Sequence, residues 1–203
     1  MTSAADIAVG FLAGGQARRM GGRDKPFMSV GGTTILDHQM AATAQHPVRV
    51  INANGDLSRF DGYGLPVIAD TIADWPGPLA GILACLDWLA DHHPHCSLLL
   101  SCATDAPFIP SDLAERLLGA MTARSAELAQ ARSAGRRHPV FGLWPVAVRA
   151  DLRAALLQEG IRKIDDFTAR YTLAFADFDA QPDPFLNVNR PEDLAAAQAA
   201  LDG

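Results

Sequence analysis

The alternation of two apolar patterns along the chain constrains its fold more than any other feature. Short runs that are continuously apolar or β-branched, as in buried strands, alternate with segments whose apolar residues recur every three or four positions, as on one face of a helix. Strands are predicted over 7–12, 48–52, 65–69 and 97–102, and helices over 33–45, 79–90 and 112–123. This order predicts an α/β fold with a mostly parallel, Rossmann-like sheet flanked by helices.

The pattern is looser after residue 125 but predicts no second domain. The remaining predicted elements are strands over 126–131, 139–144 and 172–178, a polar hairpin tip over 133–138, and helices over 148–158, 161–170 and 192–201. The sequence contains no internal repeat, no low-complexity linker and no long run of charge. Since 203 residues suffice for one ordinary hydrophobic core, we expect 1–203 to form a single domain.

Composition excludes several classes of protein. The formal net charge of −6 disfavours nucleic acid as a partner, because such binding depends on neutralising phosphates over an extended basic face. Three cysteines without C-x-x-C spacing indicate neither a disulfide framework nor a zinc site. No apolar run is long enough for a membrane helix, and the first residues lack a basic targeting segment. We therefore expect a cytoplasmic protein with no membrane partner.

A glycine-rich, basic loop follows the first predicted strand. Residues 12–25 include four glycines, three arginines and one lysine. Glycine allows backbone N–H groups to approach a ligand closely, and the side chains of Arg18, Arg19 and Lys25 can neutralise phosphate oxygens. The loop therefore predicts a grip for a triphosphate, with a surface loop of solvated cations as the alternative.

Two common phosphate-binding loops do not fit this segment. A Walker A loop requires Gly-Lys followed by Ser or Thr, whereas Lys25 follows Asp24 and precedes Pro26. The dinucleotide fingerprint requires Gly-x-Gly-x-x-Gly, which the glycine doublets at 14–15 and 21–22 do not provide. The predicted triphosphate grip is therefore of another kind.

Polar side chains follow several of the other predicted strands. Asn52 and Asn54 end the second strand, Asp70 follows the third, and Asp105 follows the most continuously apolar one. Ligands of open parallel sheets bind at the carboxyl ends of the strands, where amides and an aspartate can bond a ribose or a base and a further aspartate can hold Mg²⁺. Alternatively, these residues bond their own backbone in turns, and Asp105 only caps the turn that Pro107 stiffens.

Two more asparagines, Asn187 and Asn189, precede the last predicted helix. Asn189 is suited to act as an N-cap of that helix. The other interpretation is that one of the two side chains faces the metal and the phosphates. The sequence does not choose between these interpretations.

These motifs resemble those of the bacterial molybdenum cofactor guanylyltransferases, also called the MobA family or molybdopterin-guanine dinucleotide synthases. They occur in the family's order over nearly the whole chain. The matching motifs are Leu12-Ala-Gly-Gly-x-x-x-Arg-Met-Gly-Gly-x-Asp-Lys25, Asn52-Ala-Asn54, Asp70, Gly77-Pro-Leu-Ala-Gly81, Asp105-Ala-Pro107, His138-Pro139 and Asn187-Val-Asn189. The first of these motifs is the specific one.

The resemblance implies a nucleotidyltransferase fold of the glycosyltransferase-A-like type and the transfer of GMP from GTP to molybdopterin, with release of pyrophosphate. It places GTP against the residues that match the family's nucleotide site, which are Leu12, Ala13, Gly14, Gly15, Lys25, Asn52, Asp70 and Asp105. Arg19 and Lys25 would hold the departing phosphates, and Asp105 would bind Mg²⁺. The implied partners are GTP, molybdopterin, other cofactor-biosynthesis proteins and acceptor molybdoenzymes.

The match to the family is incomplete in two regions. The family usually has Cys before the metal-binding aspartate, where this chain has Thr104. The pterin-binding residues are the least defined by the resemblance, and we expect them around Arg136, Arg137 and His138, with Asn187 and Asn189 on the pterin or phosphate side.

Three alternatives to guanylyl transfer remain open. CTP-dependent molybdopterin cytidylyltransferases have similar loops but tend to have Ala-Ala-Gly at 13–15, so Gly15 favours guanine. Sugar-1-phosphate nucleotidyltransferases also use such loops. A non-catalytic module that binds a nucleotide and escorts the pterin would be a different class of protein, although it would have no use for Lys25 and Asp105 together.

Overall fold

The computed structural model describes residues 6–14, 24–72 and 77–202. Its strands are β1 (Ile7–Leu12), β2 (Ser29–Val30), β3 (Thr33–Thr34), β4 (Arg49–Asn52), β5 (Val67–Ile68), β6 (Leu98–Ala103), β7 (Leu128–Ser133), β8 (Arg136–Pro145) and β9 (Leu173–Asp177). Its α-helices are α1 (Ile35–Ala42), α2 (Pro78–His92), α3 (Leu113–Arg124), α4 (Arg149–Leu157), α5 (Ile164–Thr168) and α6 (Pro191–Asp202). Short 3-10 segments cover Lys25–Phe27, Ser58–Tyr63 and Val146–Val148.

Seven of the strands form one sheet in the order β5-β4-β1-β6-β8-β7-β9. All neighbours in it are parallel except β8, which is antiparallel to both β6 and β7. The predicted α/β fold with a mostly parallel sheet is therefore confirmed. In register, Leu12 of β1 lies opposite Asn52 of β4 and Ala103 of β6, so three strands end at the same level.

Helices cover both faces of this sheet. Along β1, Val9 and Phe11 pack in a cluster that includes Leu117 of α3, whereas Ala8 packs in a second cluster with Leu83 of α2. All these side chains are buried. Burial on both faces explains why the predicted central strands are continuously apolar rather than alternating.

The predicted hairpin of the second half is also observed, with a shorter tip. Ala134 and Gly135 both have positive φ, of 45° and 73°, as the two-residue turns that match strand twist require. The strand therefore resumes at Arg136, inside the predicted polar tip over 133–138. Among the described residues, no helix is both long and apolar enough to cross a membrane.

One difference from the predicted elements is at the start of α1. The predicted helix over 33–45 begins only at Ile35, because Thr33 and Thr34 pair with Ser29 and Val30 in a small hairpin. Thr34 then caps the helix, since its hydroxyl accepts a hydrogen bond of 3.1 Å from the Asp37 backbone N–H. Local capping overrides the apolar periodicity here.

Candidate functional site

The carboxyl ends of β1, β4 and β6 are joined directly by hydrogen bonds. The Ala13 N–H donates to the Asn52 carbonyl at 2.8 Å. On the other side, both the backbone N–H and the hydroxyl of Thr104 donate to the Leu12 carbonyl, at 3.4 and 3.1 Å. The segment that follows β1 is thereby held between Asn52 at the end of β4 and Thr104 after β6. Thr104 supplies this anchor at the position where the resembling family usually has cysteine.

Asn52, Asn54 and Asp70 form one cluster at the ends of β4 and β5. The amide nitrogens of Asn52 and Asn54 donate to the two Asp70 carboxylate oxygens, at 2.9 and 2.8 Å. The Asp70 backbone N–H donates to Asn54 Oδ1 at 3.0 Å. Because these side chains bond one another across two strands, the alternative that each only bonds its own turn is wrong. The cluster presents carboxylate and amide groups at the rim of the sheet.

Gly81 of α2 leaves room for the Asn52 side chain, which is only 2% exposed. A Cβ built on Gly81 of α2 would lie 2.3 Å from Asn52 Oδ1, and one on Gly14 would lie 3.5 Å from the same atom. A distance of 2.3 Å is far inside van der Waals contact, so Asn52 can keep this position only beside a glycine at 81. The close approach of α2 to the end of β4 thus depends on glycine at 81, whereas the distance at Gly14 is an ordinary van der Waals contact.

We expect Gly81→Ala to lower the free energy of unfolding by about 1–3 kcal/mol, the usual cost of overpacking a filled site. Gly119→Ala in α3 is the matched control, because a Cβ there has no atom within 4 Å. Alanine should raise stability at 119 by up to about 1 kcal/mol through helix propensity alone. Urea unfolding of both variants measures the difference. Equal stabilities would mean that Asn52 moves aside without cost.

Lys25 and Asp105, 80 residues apart in sequence, meet at this edge of the sheet. The Lys25 ammonium lies 3.3 Å from Asp105 Oδ2 and also donates to Asn189 Oδ1. Both groups remain partly accessible, with 34% and 19% of the side chains exposed. A cation and a carboxylate therefore share one accessible position beyond the central strands, as the loop and strand-end patterns predict.

The segment before α6 closes over the end of β6. The Val188 N–H donates to the Asp105 carbonyl at 2.7 Å, and the Asn187 amide, oriented with its nitrogen toward the carboxylate, donates to Asp105 Oδ1 at 3.3 Å. Asp193, in the first turn of the helix, accepts from the backbone N–H groups of Asn189 and Arg190 at 2.9 and 2.8 Å, whereas the Asn189 side chain accepts from Lys25. Both asparagine side chains therefore face the Lys25–Asp105 position, and the N-cap interpretation of Asn189 is wrong.

Arg59 is a site residue that the sequence patterns do not reveal. Its guanidinium pairs with Asp24 at 2.5 Å and donates to the Asn54 carbonyl at 3.1 Å. It thereby ties the residue before Lys25 to the loop after β4. No motif includes Arg59, because its role depends on a contact across 35 residues of sequence.

Comparisons with known proteins identify the family of this chain. The family model described as "MobA-like NTP transferase domain" matches residues 9–172. A molybdenum cofactor guanylyltransferase of Rhodopseudomonas palustris is 52% identical over 92% of this chain and 90% of its own length. Another of Bradyrhizobium is 51% identical over 98% of this chain and 95% of its own length. This chain belongs to the molybdenum cofactor guanylyltransferase family.

Solved structures similar to this member of the molybdenum cofactor guanylyltransferase family share its fold. The molybdopterin-guanine dinucleotide biosynthesis protein A of Archaeoglobus fulgidus superposes with a TM-score of 0.75 at 22% identity, covering 96% of this chain and 98% of its own. A Mycobacterium tuberculosis protein solved in complex with manganese gives a TM-score of 0.69 at 18% identity, covering 95% and 98%. At these identities the similarity concerns the fold alone.

Part of the glycine-rich loop of this guanylyltransferase-family chain lies outside the described residues. Gly15, Arg18 and Arg19 fall within 15–23, so their predicted roles are not tested by the structure. Leu12, Ala13 and Gly14 are described and lead from β1 toward the polar cluster of Asn52.

A second polar cluster lies where β7 turns into β8. The Ser133 hydroxyl donates to Asp183 Oδ1 at 2.8 Å, which leaves its oxygen to accept from His138 Nε2 at 2.7 Å. The His138 ring packs on Phe185, with centroids 4.7 Å apart. Burial lowers the pKa of His138 from its ordinary value, with Asp183 opposing this shift. Burial thus favours the neutral imidazole, and the contacts with Ser133 and Phe185 fix its orientation.

The two arginines before His138 have different surroundings. Arg137 pairs loosely with Asp165 of α5 at 3.6 Å, and Arg136 is exposed at the start of β8. Residues 183–189 connect this second cluster to the Lys25–Asp105 position, because Asp183 bonds Ser133 while Val188 bonds Asp105. The predicted pterin side is therefore joined to the carboxylate by one short segment.

Proposed function

We propose that this chain transfers GMP from GTP to the terminal phosphate of molybdopterin, forming the guanine dinucleotide and releasing pyrophosphate. The observation that carries this proposal is the position shared by Lys25 and Asp105, 3.3 Å apart beyond the central strands. Relatives that are 51–52% identical over more than nine-tenths of the chain bear the name of this activity. We also treat residues 1–203 as one nucleotidyltransferase domain.

The nucleoside half of GTP binds along the ends of β1, β4 and β5. The backbone of Leu12, Ala13 and Gly14 approaches the nucleotide, while Asn52 and Asp70 supply acceptors and donors for the ribose or the guanine edge. The hydrogen bonds between Asn52 and Asp70 preorganise these groups before the ligand arrives. Gly15 favours guanine over cytosine in this proposal.

The triphosphate extends toward Lys25. A phosphate chain that reaches Asp105 also lies within reach of the Lys25 ammonium, since the two groups are in contact. Lys25, together with Arg19, stabilises the charge that develops on the departing pyrophosphate. The attacking phosphate of molybdopterin is already an anion, so the chain needs to align the reactants rather than remove a proton.

The residues at this position fit a divalent metal that is bound together with phosphates. The oxygens of Asp105 and Asn189 already converge on one cation, the Lys25 ammonium. In the described part of the chain no three His, Cys, Asp or Glu side chains cluster as a metal site, so further ligands must come from phosphate and water, as Mg²⁺ prefers. The manganese complex of the Mycobacterium tuberculosis protein supports a divalent ion, and we propose Mg²⁺. When bound, the ion offsets charge on the reacting phosphates.

Molybdopterin binds on the side of Arg136, Arg137 and His138. We expect Arg136→Glu to raise the KM for molybdopterin about tenfold with the KM for GTP unchanged, because one charge-assisted bond to the pterin phosphate is replaced by repulsion. Arg124→Glu in the last turn of α3 is the control, since it reverses the charge of an exposed arginine on another element. Steady-state kinetics with each substrate varied in turn measure both constants. An unchanged KM for molybdopterin places the pterin elsewhere.

Asn187 and Asn189 link the two substrates in this proposal. They lie on the segment that contacts Asp105 at one end and Ser133 at the other. The reaction takes place in the cytoplasm, where other cofactor-biosynthesis proteins supply molybdopterin and acceptor molybdoenzymes take up the product.

The test is pyrophosphate release from the purified protein with molybdopterin and each of the four nucleoside triphosphates. GTP is expected to support turnover and the other three are not. Turnover with CTP would identify a cytidylyltransferase. GTP binding without pyrophosphate would favour the escort module, and turnover of a sugar 1-phosphate in place of molybdopterin would identify the third alternative.

A further inference from the structure

A buried glutamine of α1 holds both sides of the turn that carries Asp105. Gln39 is fully buried, and its Nε2 donates to the Ala103 carbonyl at 2.7 Å and to the Ala106 carbonyl at 2.8 Å. These carbonyls flank Thr104 and Asp105. One amide group therefore fixes where the chain leaves β6 and where it continues after the carboxylate.

The orientation of the Gln39 amide follows from these two bonds. Rotating it by 180° would direct Oε1 at two carbonyl oxygens, which can only accept. In the observed orientation, Gln39 Oε1 is buried without a hydrogen-bond partner in the described part of the chain. An unsatisfied buried acceptor is unfavourable, and an apolar side chain of similar size would avoid it. Packing alone therefore does not account for a glutamine here.

Two other anchors hold the same turn from different directions. The Thr104 hydroxyl bonds the Leu12 carbonyl on the β1 side, and the Val188 N–H bonds the Asp105 carbonyl on the C-terminal side. Gln39 adds a third anchor, from α1, through its bonds to the Ala103 and Ala106 carbonyls. With the backbone fixed on three sides, the Asp105 carboxylate has few positions to adopt.

Gln39 also connects the carboxylate to the segment of Lys25. The chain runs from Lys25 through the β2–β3 hairpin directly into α1, and the Ile35 N–H donates to the Met28 carbonyl at 3.0 Å. A single stretch of 15 residues, 25–39, thus contains both Lys25 and Gln39. Lys25 contacts the Asp105 carboxylate, and the Gln39 amide bonds the backbone on both sides of it. A shift of α1 would move both.

We propose that Gln39 is a positioning residue that sets the Asp105 carboxylate for the metal-bound triphosphate. It contacts neither substrate nor metal, and acts through the backbone of residues 103–106. This inference rests on the proposed function. It extends that function by assigning part of the site's affinity for the divalent ion to a residue of α1.

The test uses Gln39→Met, which preserves the volume but removes the donor. We expect the Mg²⁺ concentration for half-maximal activity to rise about tenfold, as for other losses of support behind a metal ligand, while the KM for GTP changes less than twofold. Gln45→Met is the matched control, because the exposed Gln45 also donates from Nε2 to a carbonyl, that of Ser111, at 2.7 Å. The control is expected to keep the wild-type Mg²⁺ dependence.

Binding measurements separate this inference from the proposed reaction. Mn²⁺ titration followed by electron paramagnetic resonance, with a non-hydrolysable GTP analogue present, should show about tenfold weaker Mn²⁺ binding in Gln39→Met. This readout does not require turnover, so it tests Gln39 even if the wild-type protein releases no pyrophosphate. Equal Mn²⁺ affinity in Gln39→Met and wild type would overturn the positioning role.

A second variant, Gln39→Asn, keeps the proposal testable if Gln39→Met does not fold. Gln39→Asn keeps the amide but shortens the side chain by one methylene, so it cannot span both carbonyls. We expect Mn²⁺ binding to be weakened at least about threefold, a smaller loss than that of Gln39→Met. A loss of GTP-analogue affinity in parallel with Mn²⁺ affinity in both variants would indicate a general structural effect and would contradict the proposal.

Discussion

Asp105→Asn is expected to lower kcat for pyrophosphate release by at least about 10³-fold, because loss of the carboxylate charge removes the main ligand for the divalent ion. Asparagine has the same shape, and the Asp105 backbone is held through the carbonyl bond from Val188. The Lys25–Asp105 pair is partly exposed, so its loss should cost at most about 1 kcal/mol of stability. Single-turnover kinetics and thermal unfolding measure the two effects separately.

Asp112→Asn is the matched control for this variant. Asp112 lies seven residues further along the same connection, is 52% exposed, and pairs only distantly with Arg116 at 3.9 Å. Its replacement is expected to leave kcat unchanged. Turnover of Asp105→Asn at the wild-type rate with saturating Mg²⁺ would contradict the assignment of Asp105 as the metal ligand. A loss of turnover accompanied by unfolding would show that the carboxylate is structural.

Lys25→Met is expected to reduce kcat/KM for GTP by about 10²–10³-fold, the usual effect of removing one group that stabilises developing charge. Both constants should change, with KM raised and kcat lowered, because the ammonium contacts the phosphates before and during the reaction. Lys25→Arg should recover only part of the activity, since a planar guanidinium does not reproduce a compact point charge. Initial rates over a range of GTP concentrations measure this.

The control for Lys25 is Arg124→Met at the last turn of α3, which removes one exposed positive charge from another element. It tests whether a change in net charge alone affects GTP affinity. The double variant Lys25→Met/Asp105→Asn should lose less than the product of the single effects, because both groups act on one phosphate chain. An unchanged KM for GTP in Lys25→Met would contradict the triphosphate grip.

Much of the site could be predicted from local sequence signals. Asn52, Asp70 and Asp105 could be found because each follows a strand-like run, and Lys25 because it ends a glycine-rich basic loop. Their meeting follows from one general property of parallel sheets, that the carboxyl ends of the strands share an edge. Burial on both faces of the sheet made those strands recognisable.

Contacts that join distant parts of the chain could not be predicted in this way. Gln39 contacts Ala103 across 64 residues, and Lys25 contacts Asn189 across 164. Nothing near Gln39 in sequence distinguishes its role from that of any polar residue on a helix. Arg59 is equally inconspicuous, although it ties Asp24 to the loop after β4. Such roles depend on which surfaces pack together.

The sequence by itself determined the class of fold, the end of the sheet at which the candidate site lies and the types of side chain there. Hydrophobic periodicity, turn residues and charge are properties of residues that are neighbours in sequence, so they can be recognised without a structure. Only the tertiary structure decided the insertion of the antiparallel β8 between β6 and β7, the contact of the Asn189 side chain with Lys25, and the two hydrogen bonds from Gln39 to the turn that carries Asp105. These outcomes depend on contacts between residues that are far apart in sequence. The local patterns are compatible with many arrangements of the elements, but only one of these arrangements buries the core and pairs its polar groups.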